Sequence, residues 1–354
     1  MDKLRIDSHK LMYHIDRVEK WQKNRQVSPI YLEIAPSGGC NHRCVFCALD
    51  YIGYKPQFLD TGALMRAVKD AARCGVKSIM YAGEGEPLLH KDIADIVNRT
   101  KRLGIDVAIT TNGVFLNDKV IKRCLKDLSW IRISFNAASA KTYEKVHRCP
   151  KGDFEKTLSN LRQAVAYKRK HKLDCVIGVQ MLLIPENRNE ALKLARLLKK
   201  IGVDYLTIKP FSKHPMSHCN MDKAFRYGSF LYLEKELEKI ATKDFAIIFR
   251  SHTMKKLKEG RFYRHCLGLP FWAYIDAGGD VYACSAYLGN KKFIYGNIRG
   301  HRFSDIIKSK RRRDILKMAA TKLDTSKCRE ICRLDEINRY LWELKNPSPH
   351  VNFI

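Results

Sequence analysis

Ile30-Tyr31-Leu32-Glu33-Ile34-Ala35-Pro36-Ser37-Gly38-Gly39-Cys40-Asn41-His42-Arg43-Cys44-Val45-Phe46-Cys47 joins an apolar, strand-like run to three thiols spaced Cys-x3-Cys-x2-Cys. Thiolates at this spacing converge on one soft metal centre, and an iron–sulfur cluster is a natural occupant. A closed cluster takes four thiolates. Cys40, Cys44 and Cys47 therefore leave either a distant fourth cysteine or one iron open to a ligand. An open position separates a reactive metal site from a structural one. Zinc and three unrelated core thiols remain the alternatives from these residues alone, although zinc favours matched Cys-x2-Cys knuckles that are absent here.

Outward from this stretch, strand-like runs alternate with helical ones. Residues 30–35, 77–82, 106–110, 130–135, 175–184 and 205–209 read as strands. Residues 60–74, 91–103, 117–126, 154–171 and 187–200 read as the helices between them, the first capped by Asp60 or Thr61 and stopped by Gly75. Such alternation implies a parallel sheet wrapped by helices. Six units predict an α/β fold built on an open, TIM-like partial (β/α)6 barrel, not a closed eight-unit one. Ligands of these sheets sit at the C-terminal ends of the strands. Gly83-Glu84-Gly85-Glu86-Pro87, Thr110-Thr111-Asn112-Gly113, Ser134-Phe135-Asn136 and Lys209 all fall at such ends. Leu183 and Ile184 end the fifth strand, as core or as a wall of the same pocket.

The character changes after Phe211. Residues 221–240 read as a linking helix, and residues 271–276 and 280–284 flank Ala277-Gly278-Gly279 as a β-hairpin. Residues 303–318 and 326–344 read as helices, with Pro347 and Pro349 breaking the tail. The expected organisation is an N-terminal extension over 1–27, the barrel over 28–215, a connection over 216–260, a small α+β unit over 261–335 and a tail over 336–354. Cys266 and Cys284 span the hairpin, and Cys328 and Cys332 would lie one helical turn apart. Two plus two completes a four-thiolate set, for a cluster or a structural zinc.

No run approaches the ~18 apolar residues of a membrane span, and Met1–Asp7 lacks the apolar core of a signal peptide. A cytoplasmic location with reduced thiols is the expectation for the twelve cysteines. Cys74, Cys124 and Cys175 fall on apolar positions and read as core; Cys149 and Cys219 lie in loops, where a thiol can donate a hydrogen atom. The formal charge of +29 points to an anionic partner. Part of the excess gathers at Lys308, Lys310, Arg311, Arg312 and Arg313. No nucleic-acid-binding motif accompanies it, so nucleic acid ranks behind a small anionic substrate.

The triple-cysteine loop, with the aromatic Phe46 before its third thiol, resembles that of the radical S-adenosylmethionine (SAM) enzymes. The resemblance implies a 4Fe–4S cluster on Cys40, Cys44 and Cys47 whose free iron chelates SAM. Gly85-Glu86-Pro87 matches the family's Gly-Gly-Glu-Pro turn, which holds the SAM amino group, with Glu84 in place of the first glycine. Ser134, Asn136 and Arg148 stand where related enzymes bind the SAM carboxylate and ribose. Cys266-x12-Gly279-x4-Cys284 with Cys328 and Cys332 resembles the shortened "twitch" form of the SPASM domain. This implies one auxiliary 4Fe–4S cluster on four cysteines. A fully ligated cluster leaves electron transfer as its natural task, and in the enzymes it resembles such a cluster accompanies oxidation of alcohols or thiols, often of sugars; the resemblance therefore implies oxidation of a sugar or nucleotide-sugar alcohol, with Lys209 as the pocket base or phosphate ligand. Flavodoxin or ferredoxin is the expected electron donor. A radical epimerase, a peptide-modifying enzyme and a basic RNA-binding or tRNA-modifying iron–sulfur protein are the alternatives.

Overall fold

The computed structural model describes residues 5–6, 8–219 and 225–353. Of the N-terminal stretch Met1–Asp7, only Arg5 and Ile6 lie within the described residues. The barrel strands are β1 Tyr31–Ile34, β2 Ser78–Tyr81, β3 Asp106–Thr111, β4 Trp130–Ser134, β5 Val176–Leu183 and β6 Tyr205–Pro210. Each pairs in parallel with the next. Outside them run α2 Thr61–Arg73, α3 Ile93–Arg102, α4 Asp118–Cys124, α5 Ala140–His147, α6 Asp153–Lys170 and α7 Ala191–Ile201, and α1 Ile15–Gln22 precedes the sheet. Asp60 caps α2 by accepting from the Ala63 N–H at 2.7 Å. The short α5 was not expected from periodicity.

Side chains alternate across each strand. One set, including Leu32, Ile34, Ile79, Ile109, Ile131, Ile133, Val179 and Ile208, packs outward against the helices and is fully buried. The other set faces the barrel interior. Met80, Ala82 and Ala108 plug its base, with Tyr31 and Trp130 against them. Other inward positions are polar: Glu33, Arg132, Gln180, Thr207 and Lys209.

The sheet is larger than six strands. β7 Ala246–Phe249 adds in parallel to β6, and β8 Trp272–Ile275 adds in parallel to β1. β9 Asp280–Tyr282 and β10 Ile294–Asn297 continue antiparallel from β8. The order is therefore β10-β9-β8-β1-β2-β3-β4-β5-β6-β7, and β7 does not close onto β8. The barrel is open, as six units implied, and the C-terminal hairpin is stitched into its sheet.

Three helical expectations fail. The linking helix expected over 221–240 is not continuous over 225–240, its described part. Residues 220–224 lie outside the described set, Tyr227–Phe230 is a single 3-10 turn, and α8 spans only Leu233–Glu238. α9 Ser251–Glu259 follows β7. The helix over 303–318 is two, α10 Phe303–Lys308 and α11 Lys310–Thr321, parted at extended Ser309, whose hydroxyl caps α11. The helix over 326–344 starts later, as α12 Asp335–Lys345, so Cys328 and Cys332 sit in a loop and not one helical turn apart. The basic run also proves partly structural. Arg312 is buried and donates to the carbonyls of Ile307, Val27 and Pro270, and Arg311 to those of Ile294 and Lys291.

Candidate active site

The loop after β1 carries Cys40, Cys44 and Cys47 and is fastened to the last turn of α5. The Arg43 N–H donates to the His147 carbonyl at 3.0 Å, and the Val45 N–H to the Val146 carbonyl at 2.9 Å. Beneath it, Val45 and Phe46 pack on Val146, Leu182, Ile184, Phe211 and Cys219. Burial pushes the Cys40 thiol up to about 12 and Cys44 well above the ordinary thiol value, and Cys40 and Cys47 raise Cys44 further. Such thiols hold their protons until a metal takes the thiolates, which is the chemistry of a cluster cradle.

The turn after β2 presses against this loop. The Glu86 N–H donates to the Gly39 carbonyl at 2.8 Å. A Cβ on Gly85 would lie 2.2 Å from the Ser37 carbonyl oxygen and 2.4 Å from that of Gly39. Only glycine permits this approach. The Glu86 carboxylate is buried and accepts from the Leu88 N–H at 3.0 Å, the Thr111 hydroxyl at 2.6 Å and the Asn112 N–H at 2.8 Å. A carboxylate has about four acceptor positions, so roughly one remains for a ligand's ammonium.

Ser134 ends β4 half-buried at the barrel mouth. Asn136 lies beyond the strand, buried, with Oδ1 accepting from the Leu182 N–H at 2.6 Å; it ties β4 to β5. Arg148 is exposed, in the left-handed conformation that ends α5. Leu183 is core, and Ile184 packs in the cluster under the cysteine loop. Cys219 is buried and donates its S–H to the Val45 carbonyl at 2.6 Å. Cys149 lies behind the loop, grouped with His42 and Asp153.

The four C-terminal thiols converge although the helix expected to align two of them is absent. Cys332, Cys266 and Cys328 all raise the Cys284 thiol, which burial already holds well above its ordinary value. Burial pushes Cys266 up to about 12. Tyr287 Oη lies 3.1 Å from Cys328 Sγ, and Asn338 Nδ2 donates to Cys266 Sγ at 3.7 Å, so polar neighbours orient the set.

Between the two thiol sets lies a cavity of about 1190 Å³, bounded by Phe46 on one side and by Cys284, Cys328 and Cys332 on the other. Arg132, Lys209, Arg250, Arg329 and Arg333 line it. Burial and the four guanidinium groups hold the Lys209 amine well below its ordinary value. Arg333 pairs with Glu33 and donates to the Tyr31 hydroxyl at 2.8 Å; Arg329 Nε donates to the Ser212 hydroxyl at 2.9 Å. The Trp272 Nε1 and Thr207 Oγ1 atoms are buried in the wall without a protein partner. Sequence reading found Lys209 and missed its neighbours. The signal was there: Arg132 sits mid-strand in an otherwise apolar run, at an inward position two residues before Ser134.

Glu84, the departure from the family turn, joins the two halves. Its carboxylate accepts from the Tyr274 hydroxyl of β8 and, at 2.9 Å, from the Ala277 N–H. Burial pushes it up from 4.5 to about 7. The folded chain therefore keeps a proton that the unfolded chain releases. The resulting stability is full below about pH 4.5 and is lost as pH rises through about 7, a change of about 3 kcal/mol at ~1.4 kcal/mol per unit. Asp276, pushed up to about 6, acts in the same direction. Urea denaturation of Glu84→Gln between pH 5 and 8 should show a shallower decline than the parent, with Asp276 supplying the remainder. An unchanged slope would remove Glu84 as the titrating group.

Residues 34–198 match the radical SAM superfamily, and residues 266–333 match an iron–sulfur cluster-binding domain. A probable GTP 3′,8-cyclase of Saccharolobus solfataricus is 29% identical over 214 residues, 60% of this chain and 66% of that protein. The chain thus spans about two thirds of the length of that relative. A tungsten-containing aldehyde ferredoxin oxidoreductase cofactor-modifying protein of Pyrococcus furiosus is 25% identical over 301 residues, 80% of this chain and 81% of that one. The fold is shared with Streptococcus suis SuiB bound to its precursor peptide SuiA, at TM-score 0.68 and 18% identity over 96% of this chain and 78% of that one. Among the described residues, no helix is long and apolar enough to cross a membrane.

Proposed function

Because the chain belongs to the radical SAM superfamily and carries an auxiliary iron–sulfur domain, we propose that it oxidises an anionic small molecule held between its two cysteine sets. Its cofactors are SAM, a SAM-binding 4Fe–4S cluster and an auxiliary 4Fe–4S cluster. Cys40, Cys44 and Cys47 would hold the first, and Cys266, Cys284, Cys328 and Cys332 the second. When bound, these groups supply one-electron cleavage of SAM, a radical able to take a hydrogen atom from carbon, and an electron acceptor. Gly85, Glu86, Ser134 and Arg148 are the proposed SAM contacts, with Asn136 holding the strand ends on which they stand.

The observation that carries this reading is the cationic wall. Arg132, Arg250, Arg329, Arg333 and Lys209 line one cavity, whose other charged lining includes the cations Arg261, Arg264 and Arg339 and the acids Asp324, Glu330, Asp335 and Glu336, and Glu33 pairs with Arg333. Clustered guanidinium groups of this kind bind phosphates and carboxylates. A sugar or nucleotide-sugar alcohol is the preferred substrate. Its oxidation to a carbonyl releases a proton, and Lys209, whose amine burial and the neighbouring arginines hold well below its ordinary value, is the proposed acceptor. Lys209→Ala should lower turnover about 10²-fold or more at fixed iron content; unchanged turnover would remove Lys209 from the reaction.

A second reading, ring closure on a purine nucleotide, draws on the identity with the probable cyclases. Anaerobic turnover with sugar phosphates, nucleotide-sugars and GTP in deuterated water separates the readings. A carbonyl product two hydrogens lighter supports oxidation. A product isomeric with GTP supports ring closure. Solvent deuterium retained at carbon without net oxidation supports epimerisation and overturns the dehydrogenase.

A further inference from the structure

His147 is the last residue of α5, fully buried directly behind the cysteine loop. Its ring stacks on Tyr143, with centroids 4.1 Å apart, and meets the edge of Phe46 at 5.6 Å. Its backbone carbonyl holds the loop through Arg43, so the ring cannot drift from the thiols. One contact fixes which nitrogen carries the proton. The backbone N–H of Asn136 points at Nε2 from 3.3 Å. A backbone amide can only donate, so Nε2 is the acceptor. The other nitrogen, Nδ1, must then bear the hydrogen of the neutral ring. Nδ1 lies 3.4 Å from Cys44 Sγ, one of the three cluster thiols.

We infer that His147 is a tuning residue for the barrel cluster, donating Nδ1–H to the Cys44 sulfur and raising the cluster's reduction potential. The cluster gains negative charge when reduced. A donor aimed at a ligand sulfur in a dry site stabilises that charge, and such hydrogen bonds are among the levers that set cluster potentials. Asn136 sets the tautomer by its backbone amide, so the strand end that the sequence marks for SAM also governs this hydrogen bond. His42 does not compete for the role. Its Nε2–H donates to the Asp153 carboxylate at 2.9 Å, which leaves Nδ1 without a hydrogen.

Redox titration of the reconstituted full-length protein, followed by electron paramagnetic resonance, tests this without turnover. In His147→Phe the potential of the barrel cluster should fall, while the auxiliary cluster, held by other residues, should not move. His147→Gln offers both an acceptor to Asn136 and a donor to Cys44 and should restore the parent value. An unshifted potential in a His147→Phe protein with full iron would overturn the inference. If His147→Phe takes up no barrel cluster, pulsed spectroscopy of the ¹⁵N-histidine-labelled parent and of labelled His147→Gln decides. A nitrogen coupling to the reduced cluster present in the parent and lost in His147→Gln supports the hydrogen bond; its absence from the parent removes it.

Discussion

Replacing Cys40, Cys44 and Cys47 together with alanine is expected to lower bound iron from about eight to about four per chain and to abolish SAM cleavage. The three thiols are half-buried on one loop, and the loop's attachment to α5 runs through backbone atoms that the substitutions leave in place. The apolar cluster of Val45, Phe46, Val146 and Ile184 beneath it is also untouched. The variant should therefore fold and keep the auxiliary cluster. The complementary variant, with Cys266, Cys284, Cys328 and Cys332 replaced, should hold about four irons and still form 5′-deoxyadenosine, while losing any two-electron oxidation product. Anaerobic iron and sulfide analysis beside a SAM-cleavage assay reads both. Four irons in the parent and none in the triple variant would leave the barrel cluster and remove the auxiliary one. Zinc in either set would overturn the cluster assignment there.

The two thiol sets were unequally legible. The barrel set is local in sequence, and the strand before it and the helix after it follow from periodicity, so loop, sheet and strand-end placement all agreed. The C-terminal set was found by counting, but for a reason that does not hold. Cys328 and Cys332 converge from a loop braced on Arg261 and Ser212, residues far from it in the chain. No local pattern signals such bracing. The parallel pairing of β8 with β1 was equally hidden, because hydrophobic alternation marks a strand without naming its neighbour. The cation wall was half-hidden: Lys209 ends a strand and draws attention, whereas Arg132, Arg250, Arg329 and Arg333 come from four different elements that only the folded chain brings together.

Glu84 shows how a departure from a family pattern carries information. A second glycine at that position would leave the Tyr274 hydroxyl and the Ala277 N–H without their acceptor. The auxiliary hairpin would then lose both carboxylate bonds to the turn beside the cysteine loop and keep the backbone N–H of residue 84, which donates to the Tyr274 oxygen at 3.2 Å. The substituted residue does not weaken the turn; it fastens β8 to it. The positions that tolerate no such exchange are those where backbone meets backbone.

Gly85→Ala is the sharpest test of that distinction. The added methyl meets the carbonyl oxygens of Ser37 and Gly39 at 2.2 and 2.4 Å and the Gly38 carbonyl carbon at 2.8 Å. All three are main-chain atoms, so no side-chain rotation relieves the contact. Either the turn or the cysteine loop must move, and the Glu86–Gly39 hydrogen bond is lost when they part. Overpacking of this kind costs about 1–3 kcal/mol or more. The larger effect is positional, because displacing residues 37–39 swings Cys40 away from Cys44 and Cys47. The variant should retain all its cysteines yet bind about four irons and form no 5′-deoxyadenosine, reproducing the triple-cysteine variant. Gly300→Ala, whose methyl meets nothing within 4 Å, is the control and should match the parent in iron and cleavage. Full iron and normal SAM cleavage in Gly85→Ala would show that the loop yields without cost, and that the close approach of these two turns does not shape the cluster site.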